Sequence, residues 1–219
     1  MKVNHVPGMK LSVNDPPICI DLFSGLGGWS EAFKDRGWDV ITVDFDPNFK
    51  PNIVIDIMDL KSDMLPKSPE IILASPPCNC FSSASYSYYY FKNGRPKSYK
   101  VIHAIGLVAK THLLIEELNP AFWIIENPRG MLRRFMPKPI LTTYFCSWGD
   151  PAKKPTDIWG DLPSMNWPPP TDWEPVPRGS RNGTCGKKSA AERAKIPYLL
   201  SEAICNAVEI ELGLSSGTR

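Results

Sequence analysis

The sequence predicts an α/β fold built on an open sheet, and three observations predict it. Short apolar runs alternate with helical periodicity at the spacing of strand–helix units. The first run leads into a glycine turn, Asp21-Leu22-Phe23-Ser24-Gly25-Leu26-Gly27-Gly28. Two later runs lead directly into Ser75-Pro76-Pro77-Cys78 and Glu126-Asn127-Pro128. That order sets a ligand-cradling turn, a cysteine and a carboxylate at one edge of the sheet.

Residues 1–16 read as a polar tail with Pro and Gly. Ile18–Phe23 reads as a buried first strand. A helix is expected over 27–36, with Trp29, Ala32 and Phe33 on one face at i, i+3 and i+4. Residues 39–43 form a second strand ending at Asp44, and 52–55 a shorter third ending at Asp56. Residues 71–74 form a fourth, ending at the cysteine loop. The segment 78–99 carries Tyr86, Tyr88, Tyr89, Tyr90 and Phe91 among serines, then Lys92, Asn93, Gly94 and Arg95. It is too polar for a buried strand and too aromatic for a passive linker, and reads as a mobile lid. A helix follows over 100–118 with Ile105, Val108, His112 and Ile115 along one side. A fifth strand, 122–125, ends at Glu126. Late strands are expected at 142–146 and 156–159. Residues 160–190, rich in Pro, Trp, Gly and Lys, are unreadable as secondary structure. Ile196-Pro197-Tyr198 opens a terminal helix whose apolar face holds Leu200, Ile204, Ala207 and Val208.

The 219 residues suit one domain with a small appendage, and much of the proline (23 residues) falls after Pro128. A net charge of +2 neither demands nor excludes a nucleic acid partner, because binding depends on local clusters. Acids gather early (Asp44, Asp46, Asp56, Asp59, Asp63). Bases gather later, around Arg129, Arg133, Arg134 and Lys138, then Lys153 and Lys154, then Arg178, Arg181, Lys187 and Lys188. No secretory h-region and no membrane-length run is present, so the expected setting is the cytoplasm with reduced thiols. Cys78 and Cys80 are the only close pair of the six cysteines, and His5, His103 and His112 do not complete a ligand set; no metal is expected.

Glycines after a first strand let the backbone approach a ligand and leave a helix N-terminus facing it. Asp44, about 20 residues beyond Gly25, stands where an acid binds ribose hydroxyls. The pattern Gly25-x-Gly27-Gly28 lacks the third glycine of a dinucleotide fingerprint, so NAD is disfavoured and a nucleoside cofactor without pyrophosphate is preferred. Asp56 is placed to accept from an adenine amino group. The competing account is a glycine turn serving packing alone, with aspartates capping helices. Cys78, aimed by two prolines at a strand end, is a candidate nucleophile that needs help to ionise; Cys80 reads as a buried structural cysteine. Glu126 beside an apolar run is costly unless paired or functional, and with a raised pKa it would share a proton with a ring nitrogen. A capping or salt-bridging glutamate is the alternative.

Together these segments resemble the cytosine-C5 DNA methyltransferase family. Phe23-Ser24-Gly25-Leu26-Gly27-Gly28 looks like its FxGxG cofactor motif, Pro77-Cys78 its Pro-Cys motif with Phe81-Ser82 trailing, and Glu126-Asn127 its Glu-Asn motif. Tyr144-x-Cys146-x-x-Gly149 and Lys153-Lys154-Pro155-Thr156 look like a divergent form of its later basic motif, and 196–200 like the opening of its last helix. The resemblance implies a Rossmann-like sheet that binds S-adenosylmethionine and releases S-adenosylhomocysteine. It puts Phe23, Gly25, Leu26, Gly27, Gly28 and Trp29 around the cofactor, with Asp44, Phe45, Asp56, Ile57, Ser75 and Pro77 beyond them. It makes Cys78 and Glu126 catalytic. It places Pro76, Asn79, Ser82, Asn127, Arg129, Lys154 and Thr156 on the substrate side. The implied partner is double-stranded DNA with the target cytosine flipped out, because its C5 is inaccessible inside a duplex. Lys92, Arg95, Lys97, Arg129, Arg133 and Arg134 would then meet phosphates, or else form a solvated surface.

Several positions depart from the family pattern. Asn79 stands where glutamine is usual, Asp44 where glutamate is usual, and Pro128 where valine is common. The Gln-Arg-x-Arg cluster and the Gly-Asn before the last helix are absent in their ordinary form. The expected organisation is a tail (1–16), a catalytic and cofactor-binding core (17–159), a reduced target-recognition region (160–190) and a C-terminal helix returning to the core (191–219). The competing functions are C5 modification of RNA or another polynucleotide, and a catalytically silent nucleic-acid-binding relative.

Overall fold

The computed structural model describes residues 15–82, 90–169 and 189–214. Most of the expected N-terminal tail, the tyrosines at 86, 88 and 89, and most of the target-recognition region lie outside them.

A seven-stranded sheet has the order β3-β2-β1-β4-β7-β9-β8. Its strands are β1 (Ile18–Leu22), β2 (Asp39–Asp44), β3 (Ile53–Val54), β4 (Ile71–Ala74), β7 (Phe122–Pro128), β8 (Leu141–Tyr144) and β9 (Pro155–Asp161). The first four and β7 run parallel. Parallel strands are covered on both faces, which is why their sequences are continuous apolar runs. Alternate residues divide between two cores. Ile20, Leu22, Ile72, Ala74 and Ile125 face helix α2 (Tyr99–Leu118). Cys19, Ile71, Leu73 and Ile124 face α1 (Glu31–Asp35) and α4 (Tyr198–Glu211), with Trp29, Phe33, Leu200 and Ile204 between them. A short α3 (Ala190–Ala194) precedes α4 and is closed by a capping box between Ser189 and Glu192.

The structure corrects the sequence reading in five places. The first helix begins at Glu31, not at residue 27, because Gly27 is left-handed (φ 72°) and the chain turns through 25–30. Within the expected α/β class the sheet is mixed, since β9 pairs antiparallel with both β7 and β8. This added strand extends β7 past Ile125, so Glu126, Asn127 and Pro128 lie within a strand opposite Ile158, Asp157 and Thr156, not after it. The strand expected over 142–146 stops at Tyr144, and 145–148 is a 3-10 turn. Part of the presumed lid is a two-stranded hairpin, β5 (Phe91–Lys92) and β6 (Arg95–Pro96). On α2 the buried residues are Val101, Ala104, Leu107, Val108, Thr111, Leu114, Ile115 and Leu118; of the expected face Val108 and Ile115 are among them, and Ile105 and His112 are half-buried.

Gly28 is where the C-terminal part of the chain closes onto the first turn. A Cβ there would sit 2.6 Å from the Ile196 nitrogen and 2.8 Å from its oxygen. The Ser201 hydroxyl on α4 donates to the Trp29 carbonyl and accepts from the Ala32 amide. The terminal helix therefore braces the glycine turn from behind.

Arg133, offered above as a phosphate contact, is committed instead. It grips the fully buried Asp157 carboxylate through Nε and Nη2, and Thr142 donates to the same carboxylate at 2.7 Å. Arg133→Ala strands that charge inside β9, and urea denaturation is expected to show a loss of about 3 kcal/mol.

Asp21 is fully buried in β1; one oxygen accepts from Ser30 Oγ at 2.7 Å and the other has no hydrogen-bond partner among the described residues. Burial pushes its pKa up to about 7, and the Asp44 charge adds to this against the opposing pull of Ser30 and Lys34. Between the ordinary carboxylate range and pH 7 the folded chain keeps a proton that the unfolded chain releases. Stability therefore falls as pH rises through that window and levels off above it. Between about pH 5 and pH 8, Asp21→Asn is expected to gain on the wild type by on the order of 2–3 kcal/mol in denaturant melts.

Candidate active site

Three loops meet at the C-terminal edge of the parallel strands. The first leaves β1 through Phe23, which is left-handed (φ 60°). The Asp44 carboxylate at the end of β2 accepts from the Gly25 amide at 2.8 Å and from the Asp46 amide at 3.0 Å, so it pins the glycine turn to the neighbouring strand. The second loop leaves β4 at Ser75, whose hydroxyl accepts from Trp29 Nε1 at 2.8 Å and so ties the glycine turn to the cysteine loop. The third element is β7, which pairs with β4 in parallel register Ala74↔Ile125 and brings Glu126 beside that loop.

Asn127 fixes the spacing between cysteine and carboxylate. Its buried side-chain amide donates to the Pro76 carbonyl at 2.8 Å. Below it the Met131 amide donates to the Phe81 carbonyl at 2.7 Å, and Ser82 bridges to Gly130. The Cys78 carbonyl receives the amides of Phe81 and Ser82 at 2.9 and 3.0 Å, closing a turn around the cysteine.

Glu126 is 3 % exposed, and its Oε1 has no hydrogen-bond partner among the described residues. Burial raises its pKa; the Lys154 charge, Ser75 and Thr156 oppose that rise, and Asp157 adds to it. Lys154 Nζ lies 3.9 Å from Oε1 and 4.0 Å from the centre of the Phe145 ring. Its backbone is left-handed (φ 27°), uncommon for a lysine. Burial raises the Cys78 thiol, and the Glu126 charge raises it further. Lys154, the Cys78 amide and Arg193 lower it. Thiol and carboxyl thus each disfavour the other's ionisation, and Lys154 is the cation that favours both.

A pocket of about 230 Å³ opens beside this edge. Phe23, Phe45, Ile57 and Pro77 form apolar walls, and Asp56 and Asn79 stand at the polar side. An apolar slot with an acid at its edge fits a flat heteroaromatic ring with an amino group. Asn79, expected on the substrate side, lines this same pocket. Asp56 also accepts from the Met58 amide at 2.9 Å. Leu26 and Phe45 are exposed, whereas Trp29 and Thr156 are buried. Arg129 is exposed, and its amide donates to Pro155. Cys80 is buried, its Sγ 3.8 Å from the Lys100 carbonyl, and it too borders the pocket.

Sequence reasoning missed two contributions. Lys100, His103, Ala104 and Leu107 line the pocket from α2; their i, i+3, i+4, i+7 spacing marks them as one face, a signal present in the sequence. Arg193 of α3 reaches Cys78 electrostatically from the far end of the chain, and no local pattern shows that.

The family of C-5 cytosine-specific DNA methylases matches residues 18–136, more than half of the chain and all three loops. The chain belongs to this family. Among methylases of known name, the "Probable DNA (cytosine-5)-methyltransferase" of Frog virus 3 is 28% identical over 176 residues, covering 77% of this chain and 81% of that protein. Type II methyltransferase M.FnuDI of Fusobacterium nucleatum is 29% identical over 126 residues, and M.HindV of Haemophilus influenzae is 32% identical over 127. The match spans 33% and 41% of those two enzymes' lengths. Among the described residues no helix of this methylase family member is long and apolar enough to cross a membrane.

The opposed charges around Cys78 predict how its reactivity responds to substitution. Alkylation of the Cys78 peptide, followed against pH by mass spectrometry, is expected to shift to lower pH in Glu126→Gln and to higher pH in Lys154→Ala.

Proposed function

We propose that this chain is a DNA cytosine-C5 methyltransferase that uses S-adenosylmethionine. The observation that carries the proposal is that the loop leaving β4, which carries Cys78, and the adjacent parallel strand β7, which carries Glu126, are tied together by Asn127 at the edge that also holds the glycine turn and the apolar pocket.

The residues fit the cofactor. Phe23, Phe45, Ile57 and Pro77 would enclose the adenine, Asp56 would accept from its amino group, and Asp44 has lone pairs left for a ribose hydroxyl beyond the two amides it holds. Gly25, Leu26, Gly27 and Trp29 would pass along its amino-acid end, with Gly28 giving way to Ile196 behind. S-adenosylmethionine, when bound, supplies an electrophilic methyl group.

Cys78 solves the problem of an electron-poor ring. Its thiolate adds to C6 of a cytosine, and the electron pair moves to give C5 enamine character. Glu126, whose pKa burial raises, would contact N3 and the exocyclic amine of the base, stabilising charge as it develops. C5 then takes the methyl group, a base takes the C5 proton, and the thiolate leaves from C6. Lys154 holds Glu126 and Cys78 in usable ionisation states. It contributes the charge of the missing arginine cluster without its fork geometry. The cytosine must leave the duplex to reach Cys78, so base flipping belongs to the proposal.

Incubation with labelled S-adenosylmethionine and separate DNA and RNA substrates tests it. Label at C5 of DNA cytosine, lost in Cys78→Ala and reduced about a hundredfold in Lys154→Ala, is the expected result. Transfer confined to RNA, or none by a folded chain that binds the cofactor, would sink it.

A further inference from the structure

We propose that Trp29 and Ser75 are positioning residues for Glu126, a role that rests on the proposed cytosine substrate. The indole N–H of Trp29 occupies the Ser75 oxygen, so the one proton of that hydroxyl is aimed at the carboxyl that would contact the target base.

Strand geometry brings the three side chains together. Leu73 of β4 and Ile124 of β7 face the core in which Trp29 is buried. Side chains alternate along a strand, so Ser75 and Glu126, two residues further on, face that same side. The register Ala74↔Ile125 sets them next to one another. The Ser75 amide still donates to the Leu22 carbonyl at 3.3 Å, so the strand geometry persists to that point. Trp29 arrives from the glycine turn, its carbonyl held by Ser201 of α4, and its Nε1 donates to Ser75 Oγ at 2.8 Å.

Donor accounting gives the bond its direction. An indole nitrogen donates and cannot accept, so Ser75 accepts from it and keeps one proton to give. Ser75 favours the ionised form of the neighbouring Glu126. Thr156, the other hydroxyl beside that carboxyl, has the Lys154 carbonyl as a competing acceptor at 3.2 Å. Lys154 Nζ, at 3.9 Å, attracts the carboxylate from beyond hydrogen-bond distance. Cys78 and Asp157, the other ionisable neighbours, repel the carboxylate when charged, and Arg193 of α3 acts on the thiol. Ser75 is the better placed of the two hydroxyls to hold the carboxyl in one orientation. Oε1, with no hydrogen-bond partner among the described residues, is then left for the base. A hydroxyl that already accepts a hydrogen bond is also a stronger donor. A phenylalanine at position 29 would fill the core and leave that hydroxyl free to rotate.

The titration of Glu126, followed by NMR of carboxyl-labelled glutamate, tests this; its signal is the one missing from Glu126→Gln. Ser75→Ala removes a donor to the ionised form and is expected to raise the midpoint by about one pH unit. Ser75→Thr, which keeps the hydroxyl, is expected to restore it. Trp29→Phe is expected to raise the midpoint by about a third as much. In the Ser75→Ala background Trp29→Phe is expected to add nothing. In the unsubstituted chain the indole N–H resonance of Trp29 is expected to move as Glu126 titrates, and to stay still in Ser75→Ala; this readout serves if Trp29→Phe fails to fold. An unchanged midpoint in Ser75→Ala would overturn the proposal. So would a Trp29→Phe effect of equal size with and without Ser75, which would make the indole a packing group, or an indole resonance indifferent to Glu126. Absence of methyl transfer by the wild type would instead count against the enzyme, leaving the titration of Glu126 measurable.

Discussion

Glu126 sits inside the sheet with one oxygen unbonded, and its charge is felt by the thiol that has to ionise. An acid in low dielectric stays protonated unless a cation is near, and a thiol beside a carboxylate resists becoming a thiolate. Much of the surrounding architecture supports this one arrangement. Antiparallel β9 covers β7 so that Glu126 lies within a strand, and the same strand brings Lys154 and Thr156 to the carboxylate. The left-handed backbone at Lys154 is the local distortion that accompanies this placement. Arg133 neutralises the second buried acid of the region, Asp157, whose charge otherwise works against ionised Glu126.

The glycine turn is stabilised in a different way, by connection more than by charge. Asp44 holds its amide from one side, Trp29 reaches from it to Ser75, and α4 supports it from below through Ser201 and Ile196. Cofactor pocket and cysteine loop are therefore coupled through one indole. The sheet supplies the rigid platform, and the loops at its C-terminal edge supply the chemistry, the usual division of labour in open α/β folds.

Outside this rigid centre the basic hairpin has the opposite character. Its charges have no ion-pair partner among the described residues, and its strands are short. Its aromatic attachment to Phe135 keeps it registered with the cysteine loop.

The sequence alone determined the first five strand runs and the three loops at their ends, because strands buried on both faces demand unbroken apolar runs and strand-end motifs announce themselves locally, whereas strand direction and the division into two cores came from the fold. Trp29, Ala32 and Phe33, and Leu200, Ile204, Ala207 and Val208, are buried as their spacing requires. The Asn93-Gly94 turn and the face formed by Lys100, His103 and Leu107 were also written there, and were hidden by the aromatic richness of their surroundings. What only the tertiary structure decided were pairings between distant segments. These are β9 against β7, Arg133 on Asp157 rather than free for phosphate, Gly28 against Ile196, and Arg193 near Cys78. No residue in these pairs has a local pattern that names its partner. Such contacts follow from how the whole chain closes, and the ionisation of Cys78 and Glu126 follows from them.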